Sequence, residues 1–362
     1  MENTCDIIVG LQHGDEGKGK VAYSLLKHNE YDYCIRYNGG PNAGHTIQLT
    51  PEKTIVLHQL PCGVLTKVPS IIGTNCVIDI FKLETEIKEV EERLPELKGI
   101  KERLYLAHNA HLIMDAHLEA DRKQNELIGT TKCGIGPCYV DKVKRTGMRV
   151  SGNEDIVSKL KFNIINIYEH FVLKKEKEEK SNHILFEGAQ GYQLDVDWGD
   201  YPYVTSSVVN AYGIYSCGIP NMTIKDVIGC AKLYDTYVGA KQFQPQDNKV
   251  LKLIASYGNE KGATTGRQRQ TNWLNMETLM EAIIINNCNY VVINKCDIMR
   301  QLSYIYKEEQ IFNLYVKNEL RTFATIDEMQ EFIFNFIKKA KEKINNNKVN
   351  MNLIFSESAK EV

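Results

Sequence analysis

A short apolar segment that runs directly into a glycine-rich turn limits the possible folds of this chain more than any other feature. Ile7, Ile8 and Val9 form the apolar segment, and residues 14–20 contain three glycines among charged residues. Residues 21–27 then have the pattern of a helix. A buried strand, a glycine turn and a helix in this order are typical of the first unit of a parallel α/β sheet.

Two later segments repeat this arrangement. Residues 184–186 are apolar and precede a glycine-rich loop, and residues 290–293 are apolar and precede Asn294 and Lys295. In open parallel sheets, ligands bind at the carboxyl ends of the strands. We therefore predict an α/β fold with a central, mainly parallel sheet flanked by helices. It should be a P-loop-like nucleotide-binding fold with small elaborations, formed as one domain over residues 1–362.

Two segments have the apolar spacing of amphipathic helices. Leu83, Ile87, Val90 and Leu94 predict one helix that ends near Gly99. Apolar residues at 329, 332, 333, 336 and 337 predict another, with residues 325–328 as a capping box at its start.

The composition restricts the partners and the compartment. The 362 residues carry a formal net charge of −2, which lacks the basic excess of a nucleic-acid or membrane-surface binder. The ten cysteines include no C-x-x-C pair, which favours reduced thiols over disulfides or a zinc site. No segment has the pattern of a signal peptide or a membrane span. We expect a cytoplasmic protein that binds neither nucleic acid nor membranes.

The glycine-rich turn has the chemistry of a phosphate site. Gly14, Gly17 and Gly19 would let backbone N–H groups surround phosphate oxygens, and Lys18 could reach the outer phosphates. Asp15 would repel a phosphate unless a cation or a proton transfer requires it there, and Mg²⁺ satisfies that condition. The spacing differs from that of the common P-loop. The alternative is a tight turn with solvated charges.

A second motif follows the apolar residues 290–293. Asn294, Lys295, Cys296 and Asp297 have the form Asn-Lys-x-Asp. A carboxylate at the fourth position can accept two hydrogen bonds from guanine, and adenine lacks that pair of donors. The alternative is a polar turn at the end of a strand.

Seven segments together resemble the adenylosuccinate synthetase family. They occur in the family's order, from the first predicted strand to Asp297, and any one of them alone would be weak evidence. They are residues 12–20, 38–46, 129–145, 187–191, 201–207, 264–269 and 294–297.

The resemblance implies a ligase with a two-step reaction. A nucleoside triphosphate first phosphorylates the base oxygen of inosine monophosphate (IMP), and L-aspartate then displaces the phosphate. Asp15 would be the general base and, with the carbonyl of Gly44, would hold Mg²⁺. His45 would donate to the bridging oxygen of the departing phosphoryl group. Lys18 and Gln190 complete the expected catalytic set.

The resemblance also implies the binding residues. The nucleotides would contact the loop glycines and Lys18, together with Asn42, Thr131, Arg145, Gln190, Leu194, Thr205, Lys295 and Asp297. Arg145 would reach the nucleotide of a neighbouring subunit, so a homodimer is expected. Thr265, Arg267 and Arg269 would bind the two carboxylates of aspartate.

Several positions depart from the family pattern. His13 replaces a usual Trp, Cys133 a common Arg, and Tyr237 a usual Arg. The family's final Ser-x-Gly-Pro stretch beside the guanine ring is absent, and Ser356 is the nearest candidate. His108, His111 and His117 could suggest a metal site, but the segment resembles a family segment that has histidines at the latter two positions and no known metal role.

Two other functions stay open at this point. The compact length suits phage relatives that use dGMP as the acceptor, often with ATP or dATP as the donor. Those relatives typically lack the acid at position 15. The presence of Asp15, Lys18 and the Asn-Lys-x-Asp tetrad therefore favours the ordinary acceptor, IMP. A GTP-binding regulator without ligase activity would share both motifs but would have no need of Arg267 and Arg269.

Overall fold

We describe the fold from a computed structural model of the chain. It describes residues 2–123, 128–173, 181–262, 266–344 and 351–358. The strands are β1 Asn3–Gly10, β2 Tyr33–Arg36, β3 His45–Gln48, β4 Thr54–Leu57, β5 Ser70–Ile72, β6 Val77–Ile78, β7 Leu104–Ala107, β8 His111–Leu112, β9 Asn163–Ile165, β10 His183–Glu187, β11 Met222–Lys232, β12 Tyr234–Tyr237, β13 Gln270–Asn275, β14 Tyr290–Asn294, β15 Asn313–Val316, β16 Glu319–Thr322 and β17 Asn352–Phe355.

The α-helices lie between these strands. They are α1 Lys18–His28, α2 Ile80–Arg93, α3 Ile100–Arg103, α4 Asp115–Lys123, α5 Ile135–Lys144, α6 Glu154–Lys159, α7 Lys249–Tyr257, α8 Met276–Ile285, α9 Cys296–Ile305 and α10 Ile326–Ile344. None of the described helices is long and apolar enough to cross a membrane.

The main sheet has nine strands in the order β17-β14-β11-β1-β10-β2-β5-β7-β9. All eight pairings in it are parallel. Two adjacent parallel strands must be joined by a long crossover connection, and the helices between the strands provide such connections. The predicted central, mainly parallel sheet is confirmed.

The core lies on the central strands and under the helices. Ile7, Leu185 and Val291 have no exposed surface, as expected for strands buried on both faces. Because β1, β10 and β14 run parallel in one sheet, their three carboxyl ends lie along one edge. A smaller mixed sheet has the order β12-β13-β15-β16, with antiparallel pairings at its two ends and a parallel pairing between β13 and β15.

Two predicted helices have different boundaries in the structure, since α1 begins at Lys18 rather than at residue 21. α2 ends at Arg93 rather than near Gly99, and a short 3-10 turn over Pro95–Leu97 follows it. Proline disfavours helical backbone in the residue before it, which explains the earlier end. The start of α10 agrees with the prediction, since the Glu328 N–H donates to Thr325 Oγ1 at 3.2 Å.

Candidate active site

The glycine-rich turn connects β1 to α1. Gly17 has a φ of +86° and precedes the first residue of α1, Lys18. Gly19 lies against β3, where an added Cβ would come within 2.7 Å of His45 Cβ. The loop therefore needs glycine for backbone conformation at one position and for close approach at another.

Glu16 shapes the turn from inside, and sequence reasoning did not single it out. It is fully buried and accepts hydrogen bonds from the N–H groups of Gln12 at 3.1 Å and Gly14 at 2.9 Å. Lys18 Nζ lies 2.5 Å from its second oxygen. The side chain of Asn294 donates to the Glu16 carbonyl at 2.7 Å, which ties the turn to the end of β14.

Asp15 stands at the edge of the cavity with a φ of +61°. Its carboxylate forms an ion pair with Arg269 Nε at 2.8 Å. Burial raises the pKa of Asp15, while the positive charges of Arg269 and Lys232 act in the opposite direction. Glu16 adds to the increase.

His45 begins β3 and belongs to a buried network around Glu187, the last residue of β10. His45 Nδ1 contacts Glu187 Oε1, and Arg36 Nη1 lies 3.1 Å from the same oxygen. The Cys62 N–H donates to Glu187 Oε2 at 2.7 Å. Burial would raise the pKa of Glu187, but His45 and Arg36 hold it at about 2.

This network fixes which nitrogen of His45 faces the site. Burial and the charge of Arg36 lower the pKa of His45 to about 4, so the ring is neutral near pH 7. Its proton lies on Nδ1, toward the ionised Glu187. Nε2 is buried and has no hydrogen-bond partner in the described part of the chain.

Three residues of this network, a histidine, a cysteine and a glutamate, are of types that can bind a metal ion. Ligand atoms of His45, Cys62 and Glu187 lie within 4.8 Å of one another. Arg36 already places a positive charge on Glu187, which opposes a second cation there. We therefore interpret the cluster as a hydrogen-bond network.

Most of the predicted site residues meet in one cavity of about 260 Å³. It has the polar chemistry of a nucleotide pocket, with glycines, hydroxyls and charged groups in its wall. The predicted residues that line it are Gly14, Asp15, Lys18, Asn42, Gly44, His45, Thr131, Gln190, Leu194, Thr205 and Arg267.

Gln190 is the clearest ligand-directed side chain in that wall. It has a φ of +60°. Both polar atoms of its amide are buried, and neither has a hydrogen-bond partner within the described ranges. Buried amides are normally satisfied, so this side chain is suited to the polar edge of a bound molecule.

The Asn-Lys-x-Asp tetrad lies at the same edge of the sheet but outside the cavity wall. Lys295 adopts a φ of +67° between β14 and α9, and Asp297 is in the first turn of α9. Ser356 lies beside them, because its carbonyl accepts from the Cys296 N–H at 3.3 Å. Lys20 Nζ donates to Ser356 Oγ at 2.6 Å.

The residues predicted to bind the substrate L-aspartate do not all lie in the same cavity. Arg267 lines the cavity, and its Nη2 donates to the Thr130 carbonyl at 2.7 Å. Arg269 faces a second cavity and lies between Asp15 and Glu260. Thr265 lies outside the described residues. The assignment of all three to aspartate stays a prediction.

Arg145 is not in the cavity. It is exposed, follows α5 and has a φ of +68°. Exposed apolar side chains surround it on that helix and the next turn, including Val140, Val143 and Met148. This position is compatible with a contact to another subunit and does not test it.

Two of the departures from the family pattern lie together. The rings of His13 and Tyr237 are 5.4 Å apart, edge to face, and both line the cavity. Asp235 Oδ2 lies 2.9 Å from His13 Nδ1.

Cys133, the third departure from the family pattern, belongs to a small buried cluster. The His117 side chain pairs with Asp141 at 3.0 Å.

Comparison with known proteins adds the family. The family model for adenylosuccinate synthetase matches residues 7–171 and 153–331. Adenylosuccinate synthetase of Borrelia duttonii (strain Ly) is 36% identical over 337 residues, which cover 82% of this chain and 77% of the relative. The enzyme of Borrelia recurrentis (strain A1) is 35% identical over the same length and coverage.

Solved structures agree on the fold. Fully ligated adenylosuccinate synthetase from Plasmodium falciparum superposes with a TM-score of 0.75 at 28% identity, covering 98% of this chain and 97% of that one. Succinoaminodeoxyadenylate synthetase of cyanophage S-2L, bound to dGMP and dATP, gives a TM-score of 0.67 at 21% identity, with coverages of 93% and 100%, and shares the fold. The chain therefore belongs to the adenylosuccinate synthetase family and is a ligase that forms a carbon–nitrogen bond.

Proposed function

We propose that the protein uses GTP to join L-aspartate to IMP, giving adenylosuccinate, GDP and phosphate. The first step would transfer the terminal phosphoryl group of GTP to the base oxygen of IMP. In the second step, the amine of aspartate would attack the ring carbon that carries the phosphorylated oxygen, and that oxygen would leave with the phosphate. The observation that carries this proposal is that Asp15, Lys18, His45 and Gln190 line one cavity.

The acceptor base is assigned to the Asp15 and Gln190 side of the cavity. Deprotonation of the purine ring makes its oxygen nucleophilic, and Asp15 is the carboxylate available for that proton. The unpaired amide of Gln190 can bind the edge of the base. Thr131 and Thr205 supply hydroxyl groups for the nucleotide phosphate, and Leu194 supplies an apolar contact.

The donor phosphates are assigned to the glycine-rich turn and His45. Because the His45 proton lies on Nδ1, Nε2 can donate to a phosphate oxygen only after the ring takes up a second proton. A bound triphosphate would favour that protonation through its negative charge. Lys18 would exchange part of its contact with Glu16 for the outer phosphates.

Mg²⁺ is the metal that fits this wall. Asp15 offers a carboxylate and Gly44 a backbone carbonyl, and both line the same cavity. Hard oxygen ligands of this kind suit Mg²⁺. When bound, the ion would neutralise charge on the phosphates. Asp15 would have to leave Arg269 to take up this role.

The remaining substrates are assigned to the rim. Lys295 and Asp297 would bind the guanine of GTP at the head of α9. Arg267, which lines the cavity, would hold a carboxylate of aspartate, with Thr265 and Arg269 as its partners. Arg145 would come from the other subunit of a homodimer.

The test is a ligation assay with purified protein, Mg²⁺, aspartate, a donor and an acceptor. The donors are GTP and ATP, the acceptors are IMP and dGMP, and the succinyl nucleotide is quantified. Product from IMP with GTP supports the proposal. Product mainly from dGMP would replace it with the diaminopurine reaction. GTP hydrolysis without product from either acceptor would contradict a ligase and favour a regulator.

Asp15→Asn provides the matched variant. The amide keeps the size of the side chain but cannot accept the ring proton, so ligation should fall by about 10²–10⁴-fold. Binding of IMP, measured by calorimetry without donor, should change little. Loss of IMP binding together with activity would show that Asp15 acts in binding and not as a base.

A further inference from the structure

A buried carboxylate connects two of the proposed subsites, and no motif pointed to it. Glu260 follows α7 and has no exposed surface. Three cations surround it: Arg269 Nη1 at 2.5 Å, Lys232 Nζ at 3.6 Å and Lys295 Nζ at 3.8 Å. The hydroxyl of Tyr234 donates to it at 2.5 Å. Burial would raise the pKa of Glu260, but these cations hold it at about 2, so it is ionised.

Glu260 also closes the base of the loop that carries Arg267. The Arg269 N–H donates to the Glu260 carbonyl at 3.0 Å, and the Gly262 N–H donates to the Arg267 carbonyl at 2.8 Å. The side-chain pair between Glu260 and Arg269 reinforces the first of these bonds. Two backbone hydrogen bonds therefore join residues 260–262 to residues 267–269, and the Glu260 side chain strengthens one of these connections.

The other contact of Glu260 leads to the donor end. Lys295 is the second residue of the Asn-Lys-x-Asp tetrad, and its Nζ also donates to the Gly258 carbonyl at 3.2 Å. The Lys295 side chain is one-third exposed, and its ammonium group contacts Glu260 and the Gly258 carbonyl. Without a charge at 260, Lys232 would lose its ion pair at a fully buried position, and Arg269 would keep its pair with Asp15.

We propose that Glu260 is a positioning residue that holds Arg269 at the proposed aspartate subsite and Lys295 of the Asn-Lys-x-Asp tetrad at the proposed donor-base subsite. The inference rests on the proposed function for the names of those two subsites. It predicts weaker binding of both aspartate and GTP, with little change in the affinity for IMP. Asp15 is linked to Glu260 through Arg269, but Asp15 is assigned to proton transfer and not to the binding of IMP.

The experiment compares Glu260→Gln with Glu260→Asp. Steady-state KM values are measured for aspartate, GTP and IMP, and GTP binding is measured by calorimetry in the absence of other substrates. Glu260→Gln should raise the KM for aspartate and the Kd for GTP by about tenfold or more each. The KM for IMP should stay within about twofold. Glu260→Asp keeps the charge and should recover part of both losses.

A double-mutant cycle tests the route to the donor site. Lys295→Met alone should weaken GTP binding, and adding Glu260→Gln to it should weaken binding much less than it does in the wild type. Fully additive effects would overturn the link through Lys295. An equal increase in all three KM values, a loss confined to kcat, or no change would overturn the positioning role.

Two controls separate this role from general damage. Glu91→Gln removes another carboxylate charge, one that accepts the Gly99 and Ile100 N–H groups away from the cavity, and should leave every KM unchanged. Tyr234→Phe removes one hydrogen bond from Glu260 but no charge, and should have a smaller effect than Glu260→Gln. If Glu260→Gln does not fold, Glu260→Asp and Tyr234→Phe still test the proposal through their effects on the KM for aspartate and the Kd for GTP. Wild-type protein that binds GTP without ligating would refute the proposed function, while the calorimetric arm would still test Lys295.

Discussion

Three carboxylates with no exposed surface, Glu16, Glu187 and Glu260, hold the charged groups of the site in place. Each contacts at least one of the side chains that the sequence had marked: Lys18, His45 or Arg269. A buried charge is tolerated only when it is paired and hydrogen-bonded. The positions of the marked residues therefore depend on acids that do not themselves face the cavity.

Glu187→Gln tests this dependence at His45. The amide can no longer fix the proton on Nδ1 or favour the protonated ring, so Nε2 should lose its function as a donor toward phosphate. We expect kcat for ligation to fall by about 10²-fold, with the KM for IMP nearly unchanged. Steady-state kinetics at saturating GTP measures kcat and the KM for IMP separately.

Glu86→Gln is the matched control for that variant. Glu86 is also buried and accepts the N–H groups of His58, Gln59 and Leu60. Its loss should lower the free energy of unfolding without the 10²-fold effect on kcat. A similar loss of kcat in both variants would show that the Glu187 effect comes from general destabilisation.

The sequence allowed the residues with reactive chemistry to be predicted but not those that support them. Asp15, Lys18 and Gln190 stand in glycine-rich motifs, and the structure brings them to one cavity. Glu260 stands between Asn259 and Lys261 in a polar stretch that also fits a solvated loop. Its partners Lys232, Tyr234 and Lys295 are distant in sequence, so no local pattern indicates that it is buried. Glu187 left a usable signal, because it directly follows three buried apolar residues of β10.

At the scale of elements, the approach of α1 to β3 sets the position of His45. Gly19→Ala would place a Cβ 2.7 Å from His45 Cβ and 3.3 Å from its Cα, neither of which is the flexible end of a side chain. We expect a loss of about 1–3 kcal/mol in the free energy of unfolding, measured by urea denaturation.

The helix α5 supplies the opposite case. A Cβ at Gly136 would meet only Ser206 Oγ, at 3.5 Å, in the first turn of the helix. Gly136→Ala should therefore stabilise the protein by about 0.5–1 kcal/mol in the same assay. Destabilisation by both substitutions to a similar degree would contradict the steric explanation for Gly19.

The elements that were predicted share strong local patterns. β1, β10 and β14 are short apolar runs followed by polar turns, and each was predicted from that pattern. β11 was not predicted, although it lies between β1 and β14 in the sheet. Its first half alternates exposed polar and half-buried residues, and only its second half is fully buried. Strand order itself depends on long-range pairing that no local pattern encodes.

At the scale of the whole molecule, the proposed homodimer has a direct test. Asp15→Asn and Arg145→Ala subunits should each be inactive alone. When they are mixed and allowed to exchange, one site of the mixed dimer would contain both intact residues. About a quarter of wild-type activity should return. No recovery, in a sample shown by light scattering to exceed the 41.3 kDa chain mass, would contradict a shared site.

Stability should fall in mild acid because two buried histidines resist protonation. Burial lowers the pKa of His111 to about 4, with Lys142 and Arg149 adding to the decrease, and that of His45 is also about 4. Unfolded histidine has a pKa of about 6.5. As the pH falls, these histidines take up protons in the unfolded state before they do so in the folded state. Their contribution to the free energy of unfolding should therefore be fully present above pH 6.5 and decline toward pH 4.

His111→Phe isolates one of these contributions. The aromatic ring keeps the size of the side chain but cannot take up a proton. The decline between pH 6.5 and 4 should become smaller by up to about 3 kcal/mol, measured by urea denaturation at a series of pH values. An unchanged pH dependence would show that His111 is not the group responsible.

The pairing of β17 with β14 has a consequence for how the protein is made. The sheet edge that carries the tetrad is completed by residues 352–356, and Lys20 near the start of the chain bonds to Ser356 near its end. During synthesis, the glycine-rich turn, β1 and α1 leave the ribosome more than 330 residues before their partner at this edge. A nascent chain can therefore begin its sheet long before it can complete the part of the edge that carries the tetrad.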